Sequence, residues 1–338
     1  MNNFLFISTL FIIINFLIIY FFEKNYNLIN IYDNPIGEIK SHSKKMPIYG
    51  GILFYINFVI FFLLDITYLH LFFLEFDRFS ISFFICLTFI FLIGIIDDRN
   101  NLNPLNKSIY IILLSSILLL LNNNLIVSEL TLDFLDKIYL YNFSFLFSLI
   151  CVFIFINAYN MLDGENLNIA GYNFFILLFL FYKTSFNLIF LIFIIANIFF
   201  SIQNYRNQSF FGNNGTYFFS FFLSIILINC FKYFNSINEE DLILVSIFPV
   251  TELLRLFFMR IYRNKSPFIG DKNHFHHLST KIFGKLKGII FCQFYIALSL
   301  FLDFILQLYL WYILAIFFVT YFMTIYLMNM TIKKNRIK

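Results

Sequence analysis

Two neighbouring carboxylates, Asp97 and Asp98, occupy a position that is costly unless something compensates them. They end a long apolar segment in the sequence Gly94-Ile-Ile-Asp-Asp-Arg. Adjacent like charges repel each other and lose hydration near a membrane unless a cation or a hydrogen-bond donor is close. The dipole at the C-terminal end of a helix opposes them further. The pair therefore indicates phosphoryl transfer or cation binding, with a polar helix end as the alternative.

A second polar stripe leaves another apolar segment. Asn157, Asn160 and Asp163 are spaced three residues apart, so a helix would carry two amides and one carboxylate on one face. Oxygen donors of this kind suit Mg²⁺, which usually keeps some of its waters and binds substrate phosphates. The stripe predicts a magnesium and phosphate site, with capping of a helix end as the alternative.

The segment from Phe211 to Thr216 contains Gly, Asn213, Asn and Gly just before an apolar segment. Backbone N–H groups at the start of a helix are free to meet a phosphate, and the helix dipole favours an anion there. An ordinary turn with an N-cap residue would use the same amino acids. Alone, this segment does not decide between the two.

A long basic connection supplies three histidines within four residues, His274, His276 and His277. Arg255 precedes them, and other cations lie between. A cationic loop rich in hydrogen-bond donors can hold a diphosphate. Zinc is a competing interpretation, although no Cys or acidic partner has a convincing tetrahedral spacing. A basic loop that only contacts the membrane surface is another.

Near the N-terminus, Lys40 and His42 follow Asp33-Asn-Pro and precede the pair Gly50-Gly51. The cation and the imidazole can approach an anionic lipid headgroup, and the glycines permit a close backbone approach at a helix start. Plain anchoring beside the membrane is the alternative.

The elements that position these residues are apolar helices. The chain is 61% hydrophobic and 12% charged, with a mean hydropathy of +0.83, far outside the range of soluble domains. We predict an all-α polytopic membrane bundle of about 11 transmembrane helices, forming a single domain over residues 1–338. The apolar segments are roughly 4–22, 49–64, 79–96, 107–121, 143–159, 169–182, 186–200, 215–231, 241–259, 289–308 and 310–329.

When the connections between these segments are assigned alternately to the two faces of the membrane, most basic residues fall on one face. One set of connections holds 19 of the 23 Lys and Arg residues, and it also holds every motif described above. The positive-inside rule then places the N-terminus outside and the C-terminus in the cytoplasm. We therefore expect a multi-pass protein of the cell inner (plasma) membrane that works at its cytosolic face. No basic domain with interleaved aromatics is present, so no nucleic-acid partner is expected.

Taken together, the five segments resemble the motifs of the polyprenyl-phosphate N-acetylhexosamine-1-phosphate transferases, which form bacterial glycosyltransferase family 4. The family patterns are D-x-P…K-x-H…P-x-x-G-G, G-x-x-D-D, N-x-x-N-x-x-D-G, F-x-G-D-x-G-S and S-P-F…D-x-x-H-x-H-H. Their order makes the resemblance specific, and the last pattern is closer to the branch that uses UDP-N-acetylglucosamine-type donors. The matching segments are Asp33–Gly51, Gly94–Asp98, Asn157–Gly164, Phe210–Thr216 and Ser266–His277.

This resemblance implies transfer of a sugar 1-phosphate from a UDP-N-acetylhexosamine to undecaprenyl phosphate. The products would be UMP and the lipid diphosphate-sugar that initiates a cell-envelope polysaccharide such as O-antigen. Mg²⁺ is the implied cofactor, Mn²⁺ is a substitute, and a homodimer is compatible with the family. The implied catalytic residues are Asp97, Asp98 and Asp163; the metal ligands are Asn160 and Asn213; the substrate-binding residues are Lys40, His42, Asn157, Arg255, His274, His276 and His277.

The chain departs from the family pattern at Asn213, where the family usually has an aspartate that binds magnesium. A neutral amide oxygen binds Mg²⁺ more weakly than a carboxylate does. A catalytically weakened relative is therefore one alternative. A transporter or flippase for a lipid-linked or anionic solute is another, and it would place ionisable residues within its spans. Asp303 and Glu252 are the candidates for such residues.

Overall fold

The structure is a computed structural model that describes residues 2–29, 31–33, 45–70, 77–132, 135–185, 187–232, 236–266 and 273–337. Most of these residues are helical. These ranges contain two short antiparallel strand pairs. In the first, Tyr32–Asp33 (β1) pairs with Met46–Pro47 (β2), and in the second, Glu129–Leu132 (β3) pairs with Leu135–Tyr139 (β4). The helices are α1 (Asn2–Ile29), α2 (Gly50–Leu64), α3 (Arg78–Asn100), α4 (Pro104–Leu121), α5 (Ser144–Asn160), α6 (Asn168–Lys183), α7 (Leu188–Tyr205), α8 (Gly212–Lys232), α9 (Glu239–Tyr262), α10 (Phe275–Phe283), α11 (Lys285–Leu306) and α12 (Leu310–Ile337).

The predicted helical membrane bundle is confirmed. Within the described ranges, 10 helices are long and apolar enough to cross a membrane. The remaining predicted span forms α6, an apolar helix of 16 residues that is shorter than the others. Hydropathy did not predict α10, because its 9 residues are too few and too polar to form an apolar segment. The orientation of the termini stays a prediction. The inner end of the bundle is the end with the connections predicted to be cytoplasmic.

Polar side chains fix where several helices begin. Asp77 accepts a hydrogen bond from the Ser80 backbone N–H at 2.7 Å and caps α3. Asn238 and Asp241 form a reciprocal capping box at the start of α9. Pro104 is the first residue of α4, where its missing N–H costs nothing. These caps fix the residue at which each of the three helices begins.

The centre of the bundle is α8, which is almost entirely buried and packs against α2, α3 and α5. Two glycines from the predicted motifs permit this packing. A methyl group added at Gly94 would lie 2.4 Å from Asn214 Cα, and one at Gly51 would lie 2.2 Å from the Gly215 nitrogen. Glycine is therefore needed where α2 and α3 cross the start of α8. The close approach expected at Gly51 exists, and its partner is the backbone of α8.

The two carboxylates that could mark a transport path, Asp303 and Glu252, both have a basic partner. Asp303 is close to the end of α11, and its carboxylate lies 3.8 Å from the Lys183 ammonium at the outer end of the bundle. The same ammonium binds Asp241 at 2.8 Å. Asp303 therefore helps to tie α6, α9 and α11 together. Its place near the helix end corrects the expectation of a mid-span carboxylate.

Candidate active site

Motifs that are far apart in the sequence meet at the inner end of the bundle. The backbone N–H of Asn213, at the start of α8, donates to Asp98 at the end of α3, at 2.8 Å. The hydroxyl of Thr216 donates to Oδ1 of Asn160, the last residue of α5, at 2.7 Å. The start of α8 therefore holds the predicted acidic and amide motifs together.

The two carboxylates of the acidic pair have different surroundings. Asp97 is fully buried, and its oxygens accept a 2.8 Å ion pair from Lys107 and a 3.0 Å hydrogen bond from the Tyr217 hydroxyl. It also accepts the Leu102 backbone N–H at 2.8 Å. These partners come from α4, from α8 and from the turn after α3. Asp97 thus holds Lys107 and Tyr217 in place, and its predicted catalytic role stays a prediction.

Asp98 caps α8 from a neighbouring helix. Besides the Asn213 N–H, it accepts the Asn214 backbone N–H at 2.9 Å and the Asn214 side-chain amide at 2.6 Å. Gly212, with a φ of +75°, makes the turn that aims these groups at the carboxylate. Three N–H donors and the positive end of the α8 dipole hold this carboxylate at the start of α8. The start of α8, expected to meet a phosphate, meets this carboxylate.

A cavity of about 580 Å³ lies beside these groups, among α4, α5, α8, α9 and the start of α10. Apolar and polar side chains both line it, so the cavity can take a molecule with both characters. The apolar wall includes Phe153, Ile154, Leu253, Leu254 and Phe257. The polar wall includes Lys107, Ser108, Asn157, Asn160, Asp163, Tyr217, Arg260, His274, His276 and His277.

Of the three predicted catalytic carboxylates, Asp163 is the one that lines this cavity. Desolvation by the surrounding protein, and then the negative charges of Asp98 and Asp33, raise the pKa of Asp163 to about 7. A hydrogen bond from the Gly212 backbone N–H acts in the opposite direction. A cation bound in the cavity would relieve this repulsion.

The three histidines line the cavity from the start of α10. The rings of His274 and His276 stack with centroids 5.2 Å apart, and those of His276 and His277 lie 4.3 Å apart. His277 Nδ1 lies 3.3 Å from a Glu165 carboxylate oxygen. Glu252, buried in α9, accepts the Phe275 backbone N–H at 2.7 Å and so fixes the first turn of α10.

The cation that α9 presents to the cavity is Arg260. Arg255 is not among the described residues that line the cavity, and its predicted substrate binding stays a prediction. Arg255 donates to Glu252 at 2.7 Å, to the Tyr321 hydroxyl at 2.9 Å and to the Asn273 carbonyl at 2.8 Å. Leu253, Phe257 and Arg260 have the spacing i, i+4 and i+7, so they share one helical face. That face lines the cavity, whereas Arg255 points into the contact with α12.

Residues 80–231 match the family model of glycosyl transferase family 4. The family that the motifs predicted is thus confirmed over this stretch. The matched residues run from α3 to the last turn of α8 and include Asp98, Asn160 and Asp163. They support a sugar-phosphate transferase with a polyprenyl-phosphate acceptor in general terms. No curated protein matches the chain significantly.

Several predicted site residues come together as the spacing indicated. Asn157, Asn160 and Asp163 all line the cavity, although Asp163 lies in the turn that follows α5. Asn213 gives its backbone N–H to Asp98 and is not among the described residues that line the cavity. Lys40 and His42 lie outside the described residues.

Sequence reasoning missed four polar residues of the cavity wall: Lys107, Ser108, Tyr217 and Arg260. Lys107 and Arg260 carried a signal, since both belong to the basic set of connections. Nothing in the sequence separated them from the other cations of that set. Tyr217 carried no signal, because a tyrosine inside an apolar span is ordinary in this aromatic chain.

The oxygen donors at the cavity fit a magnesium ion only in part. Asn160 and Asp163 offer one amide and one carboxylate oxygen on the same wall. Within the described ranges, no three His, Cys, Asp or Glu side chains form a cluster able to hold a metal. Mg²⁺ often binds through one or two carboxylates and completes its shell with water and substrate phosphates. The donor set fits an ion held in that way.

Proposed function

We propose that the protein transfers a sugar 1-phosphate of the N-acetylhexosamine type from a UDP-sugar to undecaprenyl phosphate. The reaction takes place at the cytoplasmic face of the cell inner membrane and initiates synthesis of a cell-envelope polysaccharide. The observation that carries the proposal is the cavity, which joins an apolar wall to a wall of cations, histidines and a carboxylate.

The apolar wall suits the acceptor lipid. Phe153 and Ile154 come from α5, and Leu254 and Phe257 come from α9. The Leu254 side chain remains 40% exposed on the perimeter of the bundle, so this wall continues to the surface that would face lipid. A polyprenyl chain can lie along it with its phosphate at the polar wall, where burial of apolar surface favours binding.

The polar wall suits the phosphates. Two anionic partners repel each other, so cations and hydrogen-bond donors must offset their charge while they are aligned. Lys107 and Arg260 supply the charge, and the three histidines supply hydrogen bonds. Mg²⁺ held by Asn160 and Asp163 would add charge neutralisation when bound.

The reaction is a substitution at phosphorus. An oxygen of undecaprenyl phosphate attacks the phosphorus that carries the sugar and forms a new P–O bond. The bond from that phosphorus to the bridging oxygen of the diphosphate breaks, and UMP leaves with the electron pair. Asp163 is the carboxylate on the cavity wall that can orient the attacking phosphate or accept a residual proton from it.

The test uses purified protein in liposomes that contain undecaprenyl phosphate, with Mg²⁺ and a panel of radiolabelled UDP-N-acetylhexosamines. Mass spectrometry identifies the lipid product, and chromatography measures UMP. We expect one donor to give lipid diphosphate-sugar and UMP in equal amounts. Passage of solute or lipid across the bilayer without bond cleavage would favour a transporter, and absence of product with every donor would refute the proposal.

A further inference from the structure

The ring of His276 is buried in the wall of the cavity, with 2% of the residue exposed. Its Nε2 atom has no hydrogen-bond partner among the described residues. This atom faces Gly164, where an added methyl group would lie 2.3 Å from it. His276 is one of the residues that line the cavity, and a buried polar atom without a partner is costly. The Nε2 atom therefore indicates a group that arrives from outside the chain.

The other ring nitrogen of His276 faces Asn168 at the start of α6. Nδ2 of Asn168 lies 3.4 Å from His276 Nδ1 and 2.8 Å from the Leu162 carbonyl oxygen. A carbonyl oxygen can only accept, so the atom beside it must be the amide nitrogen of Asn168. Gln293 supports this orientation, because its amide donates to the Asn168 carbonyl at 3.0 Å and lies 3.4 Å from Oδ1.

The orientation of Asn168 determines the tautomer of His276. An amide nitrogen only donates, so Nδ1 must accept, and in a neutral ring the proton then resides on Nε2. Burial, and then the nearby charges of His274, His277 and Arg255, lower the pKa of His276 well below its ordinary value. An imidazole that accepts a hydrogen bond at Nδ1 carries one proton, so the ring is neutral.

We propose that Asn168 is a positioning residue that fixes His276 as the Nε2–H tautomer, so that the ring presents a neutral hydrogen-bond donor beside Gly164 to an anionic oxygen of the phosphorylated donor substrate. His276 therefore binds a phosphate oxygen without acting as a cation or a base. The identity of the ligand rests on the proposed function, whereas the tautomer does not.

The tautomer is measured directly by ¹⁵N NMR of the full chain in nanodiscs, with labelled histidine. The chain has 5 His residues, and His276→Gln assigns the signals of His276 by their loss. We expect a protonated Nε2 and an unprotonated, hydrogen-bonded Nδ1. In Asn168→Asp the carboxylate accepts from Nδ1, so the proton moves to Nδ1 or the ring becomes doubly protonated. A wild-type ring already protonated at Nδ1 would overturn the proposal.

Asn173→Asp is the matched control, because Asn173 is also buried in α6. Its Oδ1 accepts the Tyr159 hydroxyl at 2.6 Å, a role that a carboxylate oxygen can keep. The histidine signals of this variant should match the wild type. Asn168→Ala is the second variant in case Asn168→Asp fails to fold, and it should give a mixture of tautomers. Unchanged signals in a folded Asn168 variant would refute the role of Asn168.

Ligand binding is tested separately by adding UMP or a UDP-N-acetylhexosamine to the wild type. The Nε2–H signal of His276 should shift on addition, and absence of a shift with either compound would overturn the assigned ligand while leaving the tautomer intact. In transfer assays, His276→Ala should raise the KM for the UDP-sugar by about tenfold or more, the loss expected for one hydrogen bond to a charged group. His276→Gln keeps an amide donor near Nε2 and should lose less.

Discussion

At the scale of single residues, acidic groups of similar type have different tasks because their neighbours differ. Asp98 receives three N–H donors and caps α8, whereas Asp163 lines the cavity. The sequence identified both as important from their motifs. It did not assign their tasks, because hydrogen-bond partners more than 100 residues away are not visible in a local pattern.

Replacing Asp98 by asparagine should impair both the site and the stability of the protein. The new NH₂ group would face an N–H of α8 and leave buried donors without an acceptor, which costs about 1–3 kcal/mol. Thermal unfolding in detergent and transfer activity should both fall. Asp77→Asn is the control, since asparagine is an equally good N-cap at the other end of α3. Equal behaviour of the two variants would contradict the capping role.

Replacing Asn213 by aspartate should strengthen metal binding. A carboxylate beside Asp98 adds a charged oxygen donor where the family usually has one. We expect half-maximal activity at a lower Mg²⁺ concentration and tighter binding of Mn²⁺ measured by electron paramagnetic resonance without substrate. An unchanged metal dependence in both measurements would show that Asn213 does not limit the site.

At the scale of elements, α9 and α10 act as a unit joined by Glu252. This carboxylate binds Arg255 on its own helix, the Tyr321 hydroxyl on α12 and the backbone at the start of α10. Hydropathy predicted α9 well because its apolar run is long. The choice of Arg260 over Arg255 as the cavity cation depends on how α9 is rotated against its neighbours, which periodicity alone did not settle.

Glu252→Gln should uncouple α10 from α9 and α12. Removing one partner of a buried ion pair costs about 3–5 kcal/mol, and the histidines should lose their fixed position. Thermal unfolding should show this loss, and the KM for the UDP-sugar should rise more than the KM for the lipid. Glu239→Gln is the control at the outer end, where Glu239 binds the exposed Thr131. Similar losses in both variants would refute the special role of Glu252.

At the scale of the whole molecule, the bundle brings the ends of α3, α5, α8 and α10 to one end. The sequence predicted this convergence, because the motifs and most basic residues lie in the set of connections assigned to one face of the membrane. It did not predict the cavity or the central place of α8. Those features depend on which apolar face each helix turns inward, and nearly uniform hydrophobicity leaves that choice open.

The predicted orientation can be tested by labelling single cysteines in a background without native cysteines. Lys137 lies in β4, in a connection predicted to be outside, and Arg206 follows α7 at the inner end; both are exposed. In intact cells, a membrane-impermeant maleimide should label Lys137→Cys. Arg206→Cys should react only after the cells are permeabilised. Reaction of both variants in intact cells, or the reverse pattern, would contradict the orientation.

The most direct test of the central claim is a single-turnover transfer assay that compares the wild type with Asp163→Asn and Asp303→Asn. Asp163 lines the cavity, whereas Asp303 binds Lys183 at the opposite end of the bundle. We expect the wild type and Asp303→Asn to form lipid diphosphate-sugar, and the rate of Asp163→Asn to fall by about 10²-fold or more while the protein stays folded. A folded Asp163→Asn variant with near-normal transfer would contradict the claim that this cavity performs the reaction.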